Sequence, residues 1–206
     1  IPQPAPAPTL SVSDEERSDC RRWLRDRGWD GEPLVVFQTT TRRAGKGVWP
    51  RERWVAVVRG VLEAKPEGRA VLTGAPSERD QTAALARAAG DARAWDLAGE
   101  MNLRRLFALL LEAHSLLSMD SAPAHAAAAL GCPVVVVCGR ADPRRNRPVA
   151  RSSPVEVITA WRDESEWPDD PHAFYAEHEI ESIEAEAVLA AWRAMLGKSV
   201  APARLP

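Results

Sequence analysis

Lysine is almost missing from this 206-residue chain: Lys46, Lys65 and Lys198 are the only three, so 24 of its 27 basic residues are arginine. Alanine is abundant as well, and the bias reads as a mark of GC-rich coding more than of chemistry. Set against 29 acidic residues it leaves a net charge of -2, which excludes the strongly basic surface that nucleic-acid binding needs. No nucleic-acid partner is expected, and any phosphate recognition has to be local. Cysteine is scarce too. Cys20, Cys132 and Cys138 form no CxxC pair and no even-numbered framework, which excludes a disulfide scaffold or a zinc ribbon and fits a reducing, cytoplasmic compartment. No apolar run approaches the roughly 20 residues that span a bilayer. The first residues show neither a basic n-region nor an apolar h-region, so neither a membrane span nor an export signal is expected. Nothing resembles a Ser-His-Asp triad or a metal-ligating cluster, and no metal is expected. What is there, 45% hydrophobic and 27% charged residues, is the composition of an ordinary globular domain.

Proline is concentrated at the start. Pro2, Pro4, Pro6 and Pro8 alternate, so residues 1–12 read as an extended interdomain linker and 13–206 as the folded domain. Ser13 followed by Asp14, Glu15 and Glu16 has the signature of a helix N-cap with an acidic first turn, and Gly28 ends that helix. Strand-like runs follow at 34–37, 69–73, 94–97, 115–119, 133–137 and 155–159. Helical spacing is expected at about 51–64, 77–89, 103–112, 123–130 and 183–196. Trp54, Val57, Val58, Val61 and Leu62 form the stripe of the first of these, and Leu103, Leu106, Phe107 and Leu110 that of the third. His114 falls at a helix end. His172 and His178 fall in an irregular tail behind an acidic loop at 161–171, and none of these histidines is assigned chemistry.

Apolar runs without alternation, joined by helical crossovers, predict a parallel sheet covered on both faces, a doubly wound, Rossmann-like α/β domain. Ligands of such sheets bind outside the carboxyl ends of the strands. Four loops lie there. The first, Gln38 to Pro50, carries Thr40, Thr41 and Lys46 directly before a helix; hydroxyls, amides and an ammonium group suit a diphosphate, and a polar surface loop stapled by Trp49 and Pro50 fits equally. It lacks the GxxxxGK[ST] spacing of a Walker A loop. In the second, Gly74 turns the chain off its strand, Ser77 is the expected N-cap, and Glu78 is either an exposed first-turn residue or an acceptor for ribose hydroxyls. In the third, Asp120 or Ser121 caps a helix with Pro123 in its first turn, and Ala126 to Ala129 leave that helix so bare that a ligand can approach its amides. His125 there is a structural residue or a ligand contact. The fourth, Gly139 to Arg145, offers a Gly and several cations, with Cys138 beside it as a small hydrophobe.

Taken in order, these loops resemble glycosyltransferase family nine, the ADP-heptose:lipopolysaccharide heptosyltransferases, over roughly 34–151 with a weaker echo at 183–188. The motifs are TTxxxK-x-WP (Thr40, Thr41, Lys46, Trp49-Pro50), a Gly and an acidic residue (Gly74, Glu78), D-[ST]-G-x-x-H (Asp120, Ser121, Ala122, His125) and G-x-x-D-P (Gly139 to Pro143). The resemblance implies the C-terminal half of a GT-B enzyme that transfers a sugar with inversion and without a metal or other cofactor. It implies that Thr40, Thr41 and Lys46 hold the donor diphosphate, Glu78 the ribose, Met101 the adenine, and Asp120, Ser121, Ala122 and His125 the diphosphate and sugar. Lys46 is the residue expected to contribute most to catalysis, by stabilising the leaving nucleotide. The implied donor is a nucleotide-sugar such as ADP-heptose, and the implied acceptor a saccharide such as lipopolysaccharide core at the cytoplasmic face of the inner membrane. Acceptor and catalytic base would lie on an N-terminal domain absent from this chain. Ala122 departs from the family's Gly and would be strained if the backbone there needed a positive φ. That departure keeps open a non-catalytic nucleotide-binding or scaffold domain, beside another GT-B enzyme, such as an epimerase or a transferase of UDP- or GDP-sugars.

Overall fold

Ser13 opens the first helix with a complete capping box: its Oγ accepts from Glu16 N–H at 3.2 Å, and the Glu16 carboxylate accepts from Ser13 N–H at 2.8 Å. In the computed structural model, which describes residues 8–40, 48–139, 142–150, 152–160 and 180–197, this helix α1 spans Asp14–Arg25, and the turn after it reaches Gly28 at φ +90°. Then β1 (Leu34–Gln38), α2 (Arg51–Ala64), β2 (Arg69–Thr73), a 3-10 turn (Pro76–Glu78) and α3 (Arg79–Ala89) follow. They lead to β3 (Ala94–Asp96), α4 (Leu103–Glu112), β4 (Ser115–Met119), α5 (Ala122–Ala129) and β5 (Val134–Val137). A short helix α6 (Pro143–Asn146), β6 (Val155–Ile158), a second 3-10 turn (Ile180–Ser182) and α7 (Ala185–Gly197) complete the described chain.

All six strands are parallel, in the order β3-β2-β1-β4-β5-β6, so the doubly wound sheet is as the apolar runs predict. The central strands are buried on both sides because their side chains feed two cores. Val35, Phe37, Leu72, Leu117 and Val135 pack against α2, α3 and α7; Leu34, Val36, Val71, Leu116 and Val134 pack against α1, α4 and α5. The order reverses direction between β1 and β4, and this switch point opens a crevice at the carboxyl edge of the sheet. No helix among the described residues is long and apolar enough to cross a membrane.

Two local expectations change. Ser77 makes no cap: Pro76 starts a 3-10 turn ahead of α3, Ser77 is exposed within it, and the carboxylate of Glu78 satisfies Ala75 N–H instead, at 2.6 Å. The buried face of α4 is Ala108, Leu109 and Leu110, while Leu103 is 68% exposed because the first turn overhangs the crevice. The last helix packs on this domain itself, through Val188, Leu189, Trp192 and Met195. Most of the Pro-rich start, the acidic loop, Arg140, His172 and His178 lie outside the described residues.

The opposite edge of the sheet holds a polar cluster inside the apolar packing. Trp192 Nε1 donates to Ser115 Oγ at 2.9 Å, and Ser115 Oγ lies 3.2 Å from His114 Nδ1. Burial, with Lys65 nearby and only partly opposed by Glu67, holds His114 below its ordinary value of 6.5. The folded state therefore binds fewer protons than the unfolded chain, so this contribution is complete above about pH 6.5 and is lost as pH falls toward the folded value. Acidification from pH 7 to 5 is expected to lower the melting temperature more for this chain than for His114→Gln, and parallel curves would remove His114 as the cause.

Candidate functional site

A cleft of about 710 Å³ occupies the crevice, and its wall is assembled from the loops after β1, β2, β3, β4 and β5. Thr40, Glu78, Met101, Asp120, Ser121, Ala122 and His125 all line it, brought together from the separate loops after β1, β2, β3 and β4. Thr41 and Lys46, the other two residues singled out from the sequence, lie outside the described residues.

Each wall has a local cause. Gly74 ends β2 without a positive φ; its small size serves a close approach, because a Cβ there would stand 3.0 Å from Glu78 Oε2 and 3.3 Å from Glu78 Cβ. The Glu78 carboxylate is accordingly fixed over Gly74, with Oε2 on Ala75 N–H. A Gly74→Ala change is expected to push that carboxylate away and weaken any ribose-bearing ligand about threefold or more, the scale of one hydrogen bond; nucleoside titration checks it.

Asn102 caps α4, its Oδ1 accepting from Arg105 N–H at 2.9 Å, and so anchors the stretch that carries Met101 and Leu106 into the cleft. Met101 is half-buried, an apolar wall suited to the flat face of a base.

Ser121 holds the N-cap position of α5 in extended conformation but makes no capping bond; its Oγ sits 3.0 Å from Ser118 Oγ. The start of α5 thus presents its amides to the cleft without a side-chain cap, a placement that favours an anion. Asp120 is 9% exposed at the same turn, and His125 is exposed on the first turn of α5. Ala122 begins the helix, and no non-glycine residue has a positive φ among those described, so the strain expected of Ala in place of Gly does not arise. The alanines that follow are mostly turned inward: Ala124, Ala127 and Ala128 are buried, letting α5 lie close on β4 and β5 rather than serving a ligand.

In the fourth loop Arg144 and Arg145 turn to protein. Asp142 caps α6 through Arg144 N–H at 3.0 Å and pairs with Arg144 and Arg145 at 3.0 and 3.9 Å. Burial alone would raise the Asp142 carboxyl, but the hydrogen bonds from Arg144 outweigh it and hold the group below the usual carboxylate range. Asn146, one turn on, is what reaches the cleft. Sequence reasoning missed Asn146, Gln38, Thr73, Asn102, Leu103 and Leu106 as lining residues. Gln38 and Thr73 had a legible signal, a polar residue ending an apolar strand. Burial raises the thiols of Cys20 and Cys132 to about 11 and about 12, so neither supplies a thiolate nucleophile near neutral pH.

With this geometry in place, likeness to known proteins becomes informative. The sequence profile described as Glycosyltransferase family 9 (heptosyltransferase) matches residues 1–166. Lipopolysaccharide heptosyltransferase 3 of Escherichia coli is 32% identical over 136 residues, covering 65% of this chain and 39% of the relative. A glycosyl transferase family 9 structure from Veillonella parvula DSM 2008 superposes with a TM-score of 0.77 over 93% of this chain and 54% of its own, at 18% identity, a likeness of fold. E. coli heptosyltransferase WaaC with ADP-2-deoxy-2-fluoro heptose gives a TM-score of 0.60 at 26% identity, covering 85% of this chain and 47% of that one. The chain spans less than half the length of the curated relatives it matches. It belongs to glycosyltransferase family 9, the heptosyltransferases.

Proposed function

We propose that the cleft holds the nucleotide diphosphate of a sugar donor, ADP-heptose, and that this chain is the donor-binding part of an inverting, metal-independent GT-B transferase. The observation that carries the reading is that seven residues from separate motifs line one cleft at the switch point of a parallel sheet, beside the uncapped start of α5. Support for the ADP-sugar comes from WaaC, whose structure was obtained with ADP-2-deoxy-2-fluoro heptose.

In this reading the base lies against Met101, the ribose hydroxyls donate to Glu78, and the diphosphate meets Thr40, Thr41, Lys46 and the amides of α5. Ala122 and His125 flank the diphosphate and sugar. Transfer breaks the bond between the anomeric carbon and the diphosphate oxygen, so negative charge grows on the departing ADP. Fixed amide dipoles, hydroxyls and the Lys46 ammonium group placed around that oxygen stabilise the charge as it forms. The acceptor, a saccharide such as lipopolysaccharide core, and the base that deprotonates it belong to an N-terminal domain. Contact with a membrane-anchored acceptor would bring the enzyme to the cytoplasmic face of the inner membrane.

Calorimetric titration with ADP, UDP and GDP tests the donor. ADP is expected to bind most tightly. A preference for UDP or GDP would move the donor to another nucleotide-sugar, and no measurable binding of any of the three would overturn the donor-site reading.

A further inference from the structure

The walls of the cleft follow one another in the order of the strands. Met101 comes after β3, Glu78 after β2, Thr40 after β1, Ser121 after β4 and Asn146 after β5, and the sheet itself runs β3-β2-β1-β4-β5. The two ends of this row differ in chemistry. At the β3 end Met101, Leu103 and Leu106 give the cleft its large aliphatic side chains, a wall suited to the flat face of a base. At the β5 end the wall is Asn146. An elongated ligand therefore lies across the strands, with its apolar end toward β3 and a polar end toward β5.

The middle of the row is the place for negative charge, because Thr40 and the uncapped amides of α5 follow the adjacent strands β1 and β4. β5 lies one strand spacing beyond β4, about 4.8 Å. With the phosphates at the start of α5, the group bonded to the outer phosphate is what comes opposite Asn146. The side chain there suits a hydroxyl better than a further phosphate. Asn146 N–H and Nδ2 both donate to Asp142 O, at 3.0 and 3.4 Å. A carbonyl oxygen only accepts, so the amide turns its NH2 end to Asp142 and leaves Oδ1, which takes no hydrogen bond from the described residues. An amide oxygen accepts from a sugar hydroxyl and repels an anionic oxygen. Asp142 is itself held by Arg144 and Arg145, so the ion pairs that draw those two cations to protein also fix the seat of Asn146.

We propose that Asn146 binds the sugar of the nucleotide-sugar, accepting from a sugar hydroxyl at the β5 end of the cleft, and so helps to set which sugar the site takes. The nucleotide is then read from β3 to β4 and the transferred group at β5. Asn146 is a specificity residue and moves no proton in the transfer. The inference rests on the cleft being a nucleotide-diphosphate site with its phosphates at the start of α5.

The test is calorimetric titration of the full chain with ADP and with ADP-heptose, read as the ratio of the two affinities. Asn146→Ala is expected to lower the affinity for ADP-heptose about three- to tenfold, one hydrogen bond's worth, and to leave that for ADP unchanged. The backbone N–H keeps Asp142 O bonded in the variant. Asn146→Leu, which keeps the bulk and removes both polar ends, should give the same result and decides the matter if the alanine variant does not fold. Should UDP or GDP bind in place of ADP, the ratio is read with that nucleotide and its glucose conjugate. Given binding of a nucleotide by the unaltered chain, an unchanged ratio overturns the role of Asn146 and leaves the donor site standing. A loss shared equally by the nucleotide and its sugar conjugate overturns it too, because Asn146 would then act on the nucleotide or on the shape of the loop. Failure of the unaltered chain to bind ADP, UDP or GDP overturns the donor site itself and the role of Asn146 with it.

Discussion

Replacing Trp49 by alanine is expected to lower the unfolding free energy by about 3–5 kcal/mol, the cost of removing a large aromatic side chain from a packed core. Trp49 is fully buried and stacks edge-on against Trp54 with ring centroids 4.8 Å apart, while Trp54 does the same to Phe37 at 6.3 Å. Its Nε1 donates to Ile183 O at 2.9 Å, and Arg53 reaches the same carbonyl, so one backbone oxygen ties the start of α2 to the approach of α7. The substitution thus opens a cavity between β1 and α2 and releases the last helix as well. Trp49→Phe keeps most of the ring and leaves Ile183 O to Arg53 alone, and should cost about 0.5–1.5 kcal/mol, the net worth of one hydrogen bond. Urea unfolding checks both. A loss below about 1 kcal/mol for Trp49→Ala would mean that the Trp-Pro pair is a surface staple, not part of the core.

Lys46→Ala is the largest expected effect on binding: at least about 1.5 kcal/mol of ADP affinity, roughly tenfold, the scale of a charge-assisted hydrogen bond to phosphate. Lys46 lies in a chain where 24 of 27 basic residues are arginine, so a lysine between two glycines is not what the composition would supply by default. Its ammonium group is a compact point charge on a flexible stem, suited to following a departing phosphate oxygen. Unfolding should be unaffected by the change. Calorimetry at fixed ionic strength checks the prediction, and an unchanged affinity would reduce Lys46 to a surface lysine.

The sheet was legible because its strands are uninterrupted apolar runs such as Leu34-Val35-Val36-Phe37 and Val134 to Val137, and only a sheet covered on both faces buries such runs completely. The positions of the loops followed, since the parallel topology puts every strand-to-helix turn on one edge. What escaped the sequence were choices between neighbouring polar groups. Ser77 and Glu78 both suit a helix start, and Pro76 decided for the Glu78 carboxylate by imposing a 3-10 turn. Arg144 and Arg145 suit a phosphate as well, and their pairing with Asp142 at the start of α6 left Asn146 to face the cleft. Gln38 and Thr73 end β1 and β2, and Ser118 stands next to last in β4; only the register brings the three side by side.

The donor site stands or falls on where a nucleotide binds. Backbone amide chemical shifts measured by NMR during ADP titration locate that place directly. A site at the carboxyl edge of the sheet requires the largest shifts in residues 38–40, 74–78, 101–106 and 120–125, and little change at 65–68, 113–115 and 131–133 on the opposite edge. Shifts confined to that opposite edge, or an ADP complex that leaves 120–125 undisturbed, would contradict it.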